Sequence, residues 1–210
     1  MNKAQLLTAL NSALAESNEG SGRLWTEAVD CVFRRYHGNG SLPVVWGKIG
    51  VLNTLYSTQL HFGNNRAKQG RAWRKTDDAQ YKLARWVVRE ASRLDGLLDR
   101  GRVKAVRMLE EEHPLKTKTG RVRHLYSFAT KFAHFHNPSA YPLWDSRTDK
   151  SMTKVNEILG GRPKVERHPD RYWYEDWILD VERVMDLIGS PDYREVDKAL
   201  YTWNGGRWDD

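Results

Sequence analysis

Residues 122–148 read VRHLYSFATKFAHFHNPSAYPLWDSRT, and this stretch carries the clearest indication of both fold and chemistry. Apolar residues recur in its first half at steps of three and four, which predicts an α-helix with one buried face. Asn137-Pro138 ends that helix, because proline cannot continue the hydrogen-bond ladder and moves the preceding residue out of the helical region. Pro142 keeps the following segment extended. The apolar face comprises Val122, Leu125, Phe128, Ala129, Phe132 and Phe135.

Asp145 follows this extended segment and precedes a predicted helix that runs to Leu159. Aspartate is a preferred N-cap residue, because its side chain accepts hydrogen bonds from amide groups that lack partners in the first helical turn. Such donors and the helix dipole favour the charged form of a carboxylate. The stretch therefore predicts a helix, a proline-bounded turn and a fixed carboxylate. A capping role and a catalytic role for Asp145 are compatible.

This order of features resembles the helix-hairpin-helix DNA glycosylases. They share a helix with buried apolar and aromatic residues, a break, a Tyr-Pro or Phe-Pro step, and an aspartate that caps the next helix. The resemblance covers about one seventh of the chain and implies that Asp145 is the catalytic carboxylate. The hairpin ahead of the helix is atypical, since residues 116–123 contain one glycine where the family usually has Gly-x-Gly.

The same resemblance bears on strand cleavage. Members that also cut the strand carry a lysine near the positions of His124 and Leu125. Lys131 lies almost two turns later, so we retain it only as a reserve nucleophile. We therefore expect an abasic product without strand cleavage.

The length of 210 residues suits one large domain or two small lobes that share a core. No alternating run of strand length stands out, so we predict an all-α fold, and the resemblance implies a two-lobed helical bundle. We treat residues 1–210 as a single glycosylase-like domain. If it has two lobes, the cleft lies between residues 41–112 and residues 113–160.

Cysteine usage and hydropathy indicate the compartment. The single Cys31 excludes an internal disulfide, and no apolar run approaches the roughly 20 residues that a membrane helix needs. An N-terminal apolar signal segment is also not apparent. We expect a cytoplasmic protein that acts as a monomer.

The distribution of charge is more informative than the net charge of +7. Residues 66–107 hold 13 Lys or Arg against 5 Asp or Glu, whereas residues 166–210 hold 6 against 12. A basic side suits a docked polyanion, because neutralised phosphates supply most non-specific nucleic-acid affinity. A basic but merely solvated helical protein is the alternative.

Residues 63–77, GNNRAKQGRAWRKTD, are predicted to form a DNA-contacting loop. Basic side chains there bind phosphates while an aromatic ring stacks on an unpaired base. A mobile surface loop is the alternative. The predicted DNA-binding residues are Arg66, Lys68, Arg71, Trp73, Arg74, Lys75, Lys116, Lys118, Arg121, Arg123 and Arg147.

A base pocket is predicted where polar side chains crowd at the end of a helix that we expect over residues 41–60, together with the turn that precedes Asp145. Pockets of this kind are mostly apolar with a few placed polar groups. The alternative is that these side chains bond within the core or line an exposed helix end. The pocket residues are Asn53, Tyr56, Gln59, His136, Asn137, Tyr141 and Trp144.

His134 and His136 raise the question of a metal site. Residues two apart on a helix point about 200° from each other around its axis, so the pair does not easily share one ion. No cysteine cluster or His-Glu helix motif is present. We expect no metal ion and no cofactor.

Together these features favour a monofunctional DNA glycosylase, which flips a base out of the duplex and hydrolyses its glycosidic bond beside Asp145. In its modest size and its helix-Pro-Tyr-Pro-Asp signature the chain also resembles bacterial anti-phage glycosylases, which remove glucosylated hydroxymethylcytosine from viral genomes. A general repair glycosylase for oxidised or alkylated bases, a non-catalytic DNA- or RNA-binding module and an unrecognised type of nuclease remain open.

Overall fold

The computed structural model describes residues 1–17, 22–56, 72–117, 119–160, 173–203 and 205, including side chains from Thr26 in the second helix and from Ala79 in the fourth. These residues form an all-helical protein, as predicted. The ten described helices are α1 (Lys3–Ser17), α2 (Gly22–Arg35), α3 (Leu42–Leu55), α4 (Ala72–Arg89), α5 (Ala91–Leu98), α6 (Val103–Glu111), α7 (Tyr126–His136), α8 (Ser146–Leu159), α9 (Trp173–Ile188) and α10 (Tyr193–Trp203). None of them is long and apolar enough to cross a membrane.

The chain divides into two compact units. Unit 1 contains residues 1–26 and 138–210, and unit 2 contains residues 27–137. Of the two segments between which we expected a cleft, residues 41–112 lie wholly in unit 2. Residues 113–160 are divided between the units after Asn137.

Unit 2 is held together by α3 and α7. Helix α3 packs against α4 and α7, α6 packs against α7, and α5 contacts α4 and α6. Their buried faces carry Phe33, Val45, Ile49, Leu52, Leu83, Leu94, Phe128 and Phe132. In unit 1, α1 packs along α10, which also contacts α8 and α9. That core includes Leu6, Leu10, Val155, Tyr174, Val184, Val196 and Leu200.

The predicted start of α7 is wrong. The helix begins at Tyr126, whereas Val122 pairs in antiparallel fashion with Lys116. The Arg123 amide donates to the Leu115 carbonyl at 3.0 Å, and Gly120 takes a positive φ of 81° in the turn between them. Glycine adopts that conformation without steric cost, so the turn closes a short hairpin instead of extending the helix.

Two further boundaries lie within residues 72–98. Glu90 separates α4 from α5, and the Glu90 carbonyl accepts from the amides of both Arg93 and Leu94. Helix α4 begins at Ala72, so Trp73, Arg74 and Lys75 are helical and not part of a loop. Ser41 occupies the N-cap position of α3 with an extended backbone, but its side chain makes no capping hydrogen bond.

Candidate functional site

Asp145 caps α8 as predicted. Its Oδ1 atom accepts from the Arg147 amide at 2.7 Å and from the Thr148 amide at 3.1 Å. In return, the Asp145 amide donates to the Thr148 hydroxyl at 3.1 Å, which completes a capping box. These bonds fix the orientation of the carboxylate, and the side chain remains partly exposed.

The extended segment that leads to Asp145 is held by two aromatic donors from α9. The Tyr174 hydroxyl donates to the Pro142 carbonyl at 2.7 Å, and Trp177 Nε1 donates to the Leu143 carbonyl at 2.9 Å. All three of Tyr174, Trp177 and Leu143 are buried. The position of Asp145 therefore depends on α9 as well as on α8. The sequence reasoning assigned no site role to the aromatic residues of α9, so this contribution was missed.

Aromatic rings and one guanidinium group surround the start of α8. The Trp144 ring lies edge-on to Trp173, with 5.5 Å between ring centroids. Arg147 donates to the Tyr201 hydroxyl and lies over that ring, 5.1 Å from its centroid. Burial raises the pKa of Tyr201, and the negative charge of Asp145 acts in the same direction, whereas Arg147 opposes it. Arg147 is thus engaged by Tyr201 while its side chain stays exposed.

Lys131, the reserve nucleophile, lies on α7 in unit 2. Its side chain is 4% exposed, and Nζ donates to the Ser127 hydroxyl at 2.8 Å. Nζ also lies 6.0 Å from the centroid of the Tyr56 ring. The amine is therefore enclosed among neighbouring side chains of its own unit.

The residues predicted to form a base pocket are distributed over both units. Unit 2 contains Asn53, Tyr56, His136 and Asn137, and unit 1 contains Tyr141 and Trp144. Gln59 lies outside the described residues. Asn53 and Tyr141 are buried, and the Asn137 side chain donates to the carbonyl groups of Leu98 and Asp99 at 3.1 and 3.2 Å. The Tyr56 ring packs against Phe135, with 5.2 Å between centroids.

Of the predicted DNA-binding residues, Arg66, Lys68, Arg71 and Lys118 lie outside the described part of the chain. Lys116 and Arg121 are exposed on the hairpin ahead of α7. Arg123 is half-buried on the same hairpin, and burial lowers its pKa. Basic side chains along α4 and α5 are also exposed, but some are paired: Arg93 meets Glu112 at 3.1 Å.

A histidine cluster that the sequence did not predict lies within unit 2. His136 Nε2 donates to Asp99 Oδ1 at 2.9 Å, and His37 Nε2 lies 3.7 Å from the same oxygen. The two imidazole rings are 4.2 Å apart between centroids. Burial lowers the pKa of His136, although its hydrogen bond to Asp99 opposes that effect.

Lys48 organises the loop that carries His37. Its buried Nζ donates to the carbonyl groups of His37 and Gly38 at 2.9 and 3.3 Å and to Asn39 Oδ1 at 3.0 Å. Asn39 in turn donates from its amide to Asp95 Oδ2 at 3.0 Å. Burial lowers the pKa of Lys48 to about 8, which the Asp95 carboxylate opposes. These bonds attach residues 37–39 to α3 and α5.

The sequence signal for this cluster was weak. The segment His37-Gly38-Asn39-Gly40 has the composition of a helix break, and the sequence raised the question of a metal site only for His134 with His136. The structure instead brings His136 together with Asp99 and His37, which lie 37 and 99 positions earlier in the chain, respectively. Helical spacing alone cannot detect a partner contributed by another element.

Comparison with known proteins identifies the family. Residues 9–140 match the family HI_0787_N, which is described as an N-terminal domain. An uncharacterized protein of Haemophilus influenzae is 37% identical over 65 residues, which are 31% of this chain and 30% of that protein. The aligned part thus covers less than a third of the relative. No solved structure shows significant similarity to the chain. Because the family match extends over more than half of this chain, the protein belongs to the HI_0787_N N-terminal domain family.

Proposed function

We propose that this protein is a monofunctional DNA glycosylase in which Asp145 is the catalytic carboxylate. The observation that carries the proposal is the geometry at the start of α8. Two backbone amides hold Oδ1 of Asp145, while the side chain remains partly exposed to an incoming substrate. Fixed carboxylates of this kind stabilise an oxocarbenium-like transition state in glycoside hydrolysis.

The proposed reaction begins with extrusion of one nucleotide, because the glycosidic bond is shielded inside the duplex. Exposed basic side chains, among them Lys116 and Arg121 of the hairpin, would hold the phosphates. Asp145 would then stabilise the positive charge that develops on the sugar and orient the attacking water. The water oxygen forms the new bond to the sugar carbon and its proton passes to Asp145, while the base leaves with the electrons of the broken bond and takes up a proton from solvent.

The environment of Lys131 supports hydrolysis over strand cleavage. A lysine nucleophile must reach the sugar carbon as a neutral amine. The Lys131 amine is buried and bonded to the Ser127 hydroxyl. We therefore propose that the product is an abasic site on an intact strand.

For the base, we propose glucosylated hydroxymethylcytosine in phage DNA, with the protein acting in the bacterial cytoplasm. The support is the aromatic environment of the catalytic carboxylate, where Trp144 and Trp173 pack edge-on and Tyr201 accepts from Arg147. Aromatic faces combined with polar groups suit an amphipathic, hydroxyl-bearing ligand.

The test is to incubate the protein with duplexes that carry glucosylated hydroxymethylcytosine, unmodified cytosine, oxidised guanine or uracil, and then to heat each with alkali. Strand breaks that appear only after alkali, and only in the glucosylated duplex, are the expected result. Equal or greater release of a small lesion base would contradict the proposed substrate but still support the proposed glycosylase reaction. Breaks without alkali would indicate a nuclease and contradict the proposal.

A non-catalytic DNA-binding module is the second candidate, and one observation favours it. The reciprocal bonds between Asp145 and Thr148 account for the carboxylate's position as a helix cap without any catalytic role. Tight binding to every duplex without release of any base, as measured by mass spectrometry, would identify this alternative.

A further inference from the structure

We propose that His37, Asp99 and His136 form a binding site for one divalent transition-metal ion of the Zn²⁺ class. The three side chains come from the loop after α2, from the end of α5 and from the end of α7. Each offers one ligand atom, and these atoms all lie within 4.8 Å of one another. The site lies entirely within unit 2, whereas Asp145 lies in unit 1. Metal binding can therefore be tested independently of Asp145 and of base excision.

The ligand distances are close to those of a filled site. Zinc binds histidine nitrogen and carboxylate oxygen at about 2.0–2.2 Å, so two ligand atoms at tetrahedral positions lie roughly 3.3–3.5 Å apart. His136 Nε2 is 2.9 Å from Asp99 Oδ1, and His37 Nε2 is 3.7 Å from it. The observed separations bracket the required one: a small rotation of the exposed His37 ring shortens the longer one, and a shift of the exposed Asp99 carboxylate by a few tenths of an ångström opens the shorter one.

The chemistry of the ligand set also fits. Two imidazoles and one carboxylate with an open position are the donor set of several catalytic zinc sites, and imidazole suits zinc, copper, iron and nickel. The His136 side chain is fully buried, whereas those of His37 and Asp99 are 57% and 51% exposed. An ion held here would have protein on one side and water on the other, which leaves room for a water ligand.

The His136 ring can bind a metal ion through Nε2 if its proton moves to Nδ1. At present Nε2–H donates to Asp99, and Nδ1 has no hydrogen-bond partner among the described residues. When a metal ion takes the Nε2 lone pair, the single proton of the neutral ring moves to Nδ1. The ring therefore keeps its net charge, and binding breaks only the hydrogen bond to Asp99, whose oxygen then coordinates the ion.

The nearby charges permit a cation. Lys48 is the adjacent positive group, and its Nζ is directed at the three oxygens of residues 37–39. The Asp99 carboxylate is a direct ligand, and Asp95 adds a second negative charge beside the loop, whereas the exposed Arg100 side chain lies near Gly96. The carboxylate ligand favours a divalent cation over an anion at this site.

A second group of possible ligands, Glu110, Glu111 and His124, provides a matched control. It contains one imidazole instead of two, and its His124 side chain is 68% exposed, close to the exposure of His37. Removing an exposed histidine from either group should disturb folding equally little. Only the loss of His37 should remove a ligand from the proposed site.

The experiment titrates the metal-stripped full chain with ZnCl₂ by calorimetry and with CoCl₂ by visible absorption. Saturable binding of one ion, a rise in Tm with zinc and a d–d band with cobalt are expected. His37→Ala and Asp99→Asn should each weaken zinc binding at least about tenfold, while His124→Ala leaves it unchanged. The Asp99→Asn side chain can still accept from His136, so that variant retains the apo contact. Absence of saturable binding to the wild type, equal binding by His37→Ala, or loss of binding in His124→Ala would each overturn the proposal.

Discussion

Asp145 and Thr148 bond to each other in both directions at the start of α8. The Asp145 carboxylate accepts from the Thr148 amide, and the Asp145 amide donates to the Thr148 hydroxyl, both at 3.1 Å. Each residue therefore satisfies a backbone donor of the other that the helix itself leaves without a partner. This exchange fixes the backbone and the side chain of Asp145 together, and it gives the carboxylate a structural role that must be separated from a catalytic one.

Replacement of the cap should affect stability according to the acceptor that remains. Asp145→Ala removes the acceptor for two amides and should lower the free energy of unfolding by about 1 kcal/mol. Asp145→Asn keeps a side-chain oxygen, so its stability should stay close to that of the wild type. Urea denaturation followed by circular dichroism measures both. An equal loss in the two variants would show that charge, and not the cap hydrogen bonds, stabilises this helix end.

His113 should make the protein less stable in mild acid. Burial lowers its pKa to about 4, below the 6.5 of an exposed histidine, and its Nδ1 accepts from the Leu115 amide at 3.1 Å. Between those values the unfolded chain binds the proton and the folded chain does not, so stability falls as the pH decreases from 6.5 to 4. The loss from this group should reach at most roughly 3 to 4 kcal/mol, since the two pKa values differ by about 2.5 and each pH unit is worth about 1.4 kcal/mol.

The matched variant for this effect is His113→Asn, which offers an acceptor to the Leu115 amide but does not titrate. Its unfolding free energy should decrease less than that of the wild type over the same pH range. Carboxylates and His136 contribute to the pH dependence of stability in both proteins. The difference between the two curves of unfolding free energy against pH therefore isolates the contribution of His113. Parallel curves would mean that His113 is protonated without penalty in the folded state.

Lys48→Met should destabilise unit 2. The substitution keeps the length of the aliphatic stem but removes the donor for two carbonyl groups and for the buried Asn39 side chain. A buried acceptor left without its partner costs about 1–3 kcal/mol. The control is Lys104→Met on α6, where the exposed side chain should change stability by no more than about 0.5 kcal/mol. Equal stability of the two variants would mean that burying the ammonium group costs as much as its hydrogen bonds contribute.

Arg121→Gln should reduce the salt dependence of duplex binding. If the hairpin contacts a phosphate, the slope of log K against log salt should decrease by about 1. The substitution spares the hairpin, because the Thr117 amide bonds to the backbone carbonyl of residue 121. The control is Lys3→Gln at the start of α1, whose exposed side chain should not affect the slope. Identical slopes for both variants, measured by fluorescence anisotropy, would remove the hairpin from the proposed interface.

The sequence predicted the elements whose signals are local. Hydrophobic periodicity and proline placement identified α7 and its end at Asn137-Pro138, and aspartate preference identified the cap of α8. The start of α7 was misjudged because Val122 continues the apolar spacing, although its backbone bonds run across a hairpin closed by Gly120. The break at Glu90 carries no proline or glycine, so nothing in the local sequence marks it.

Local sequence patterns could not predict sites whose side chains come from elements that are distant along the chain. His136 was assigned to a base pocket from its position on α7, but its closest polar partner is Asp99, 37 positions earlier. Lys48 was assigned no role from the sequence, yet it is fully buried and donates to oxygens contributed by the preceding loop. Partners of this kind become apparent only when the packing of α3, α5 and α7 is known.

The most direct test of the central claim is base release by Asp145→Asn, with Asp149→Asn as its control. Both variants remove one carboxylate from the first turns of α8, but only Asp145 is the proposed catalyst. On DNA that carries glucosylated hydroxymethylcytosine, Asp145→Asn should form no abasic sites while it folds and binds as the wild type does. Asp149→Asn should retain activity. Normal turnover by Asp145→Asn would show that Asp145 is only a helix cap and would contradict the proposed mechanism.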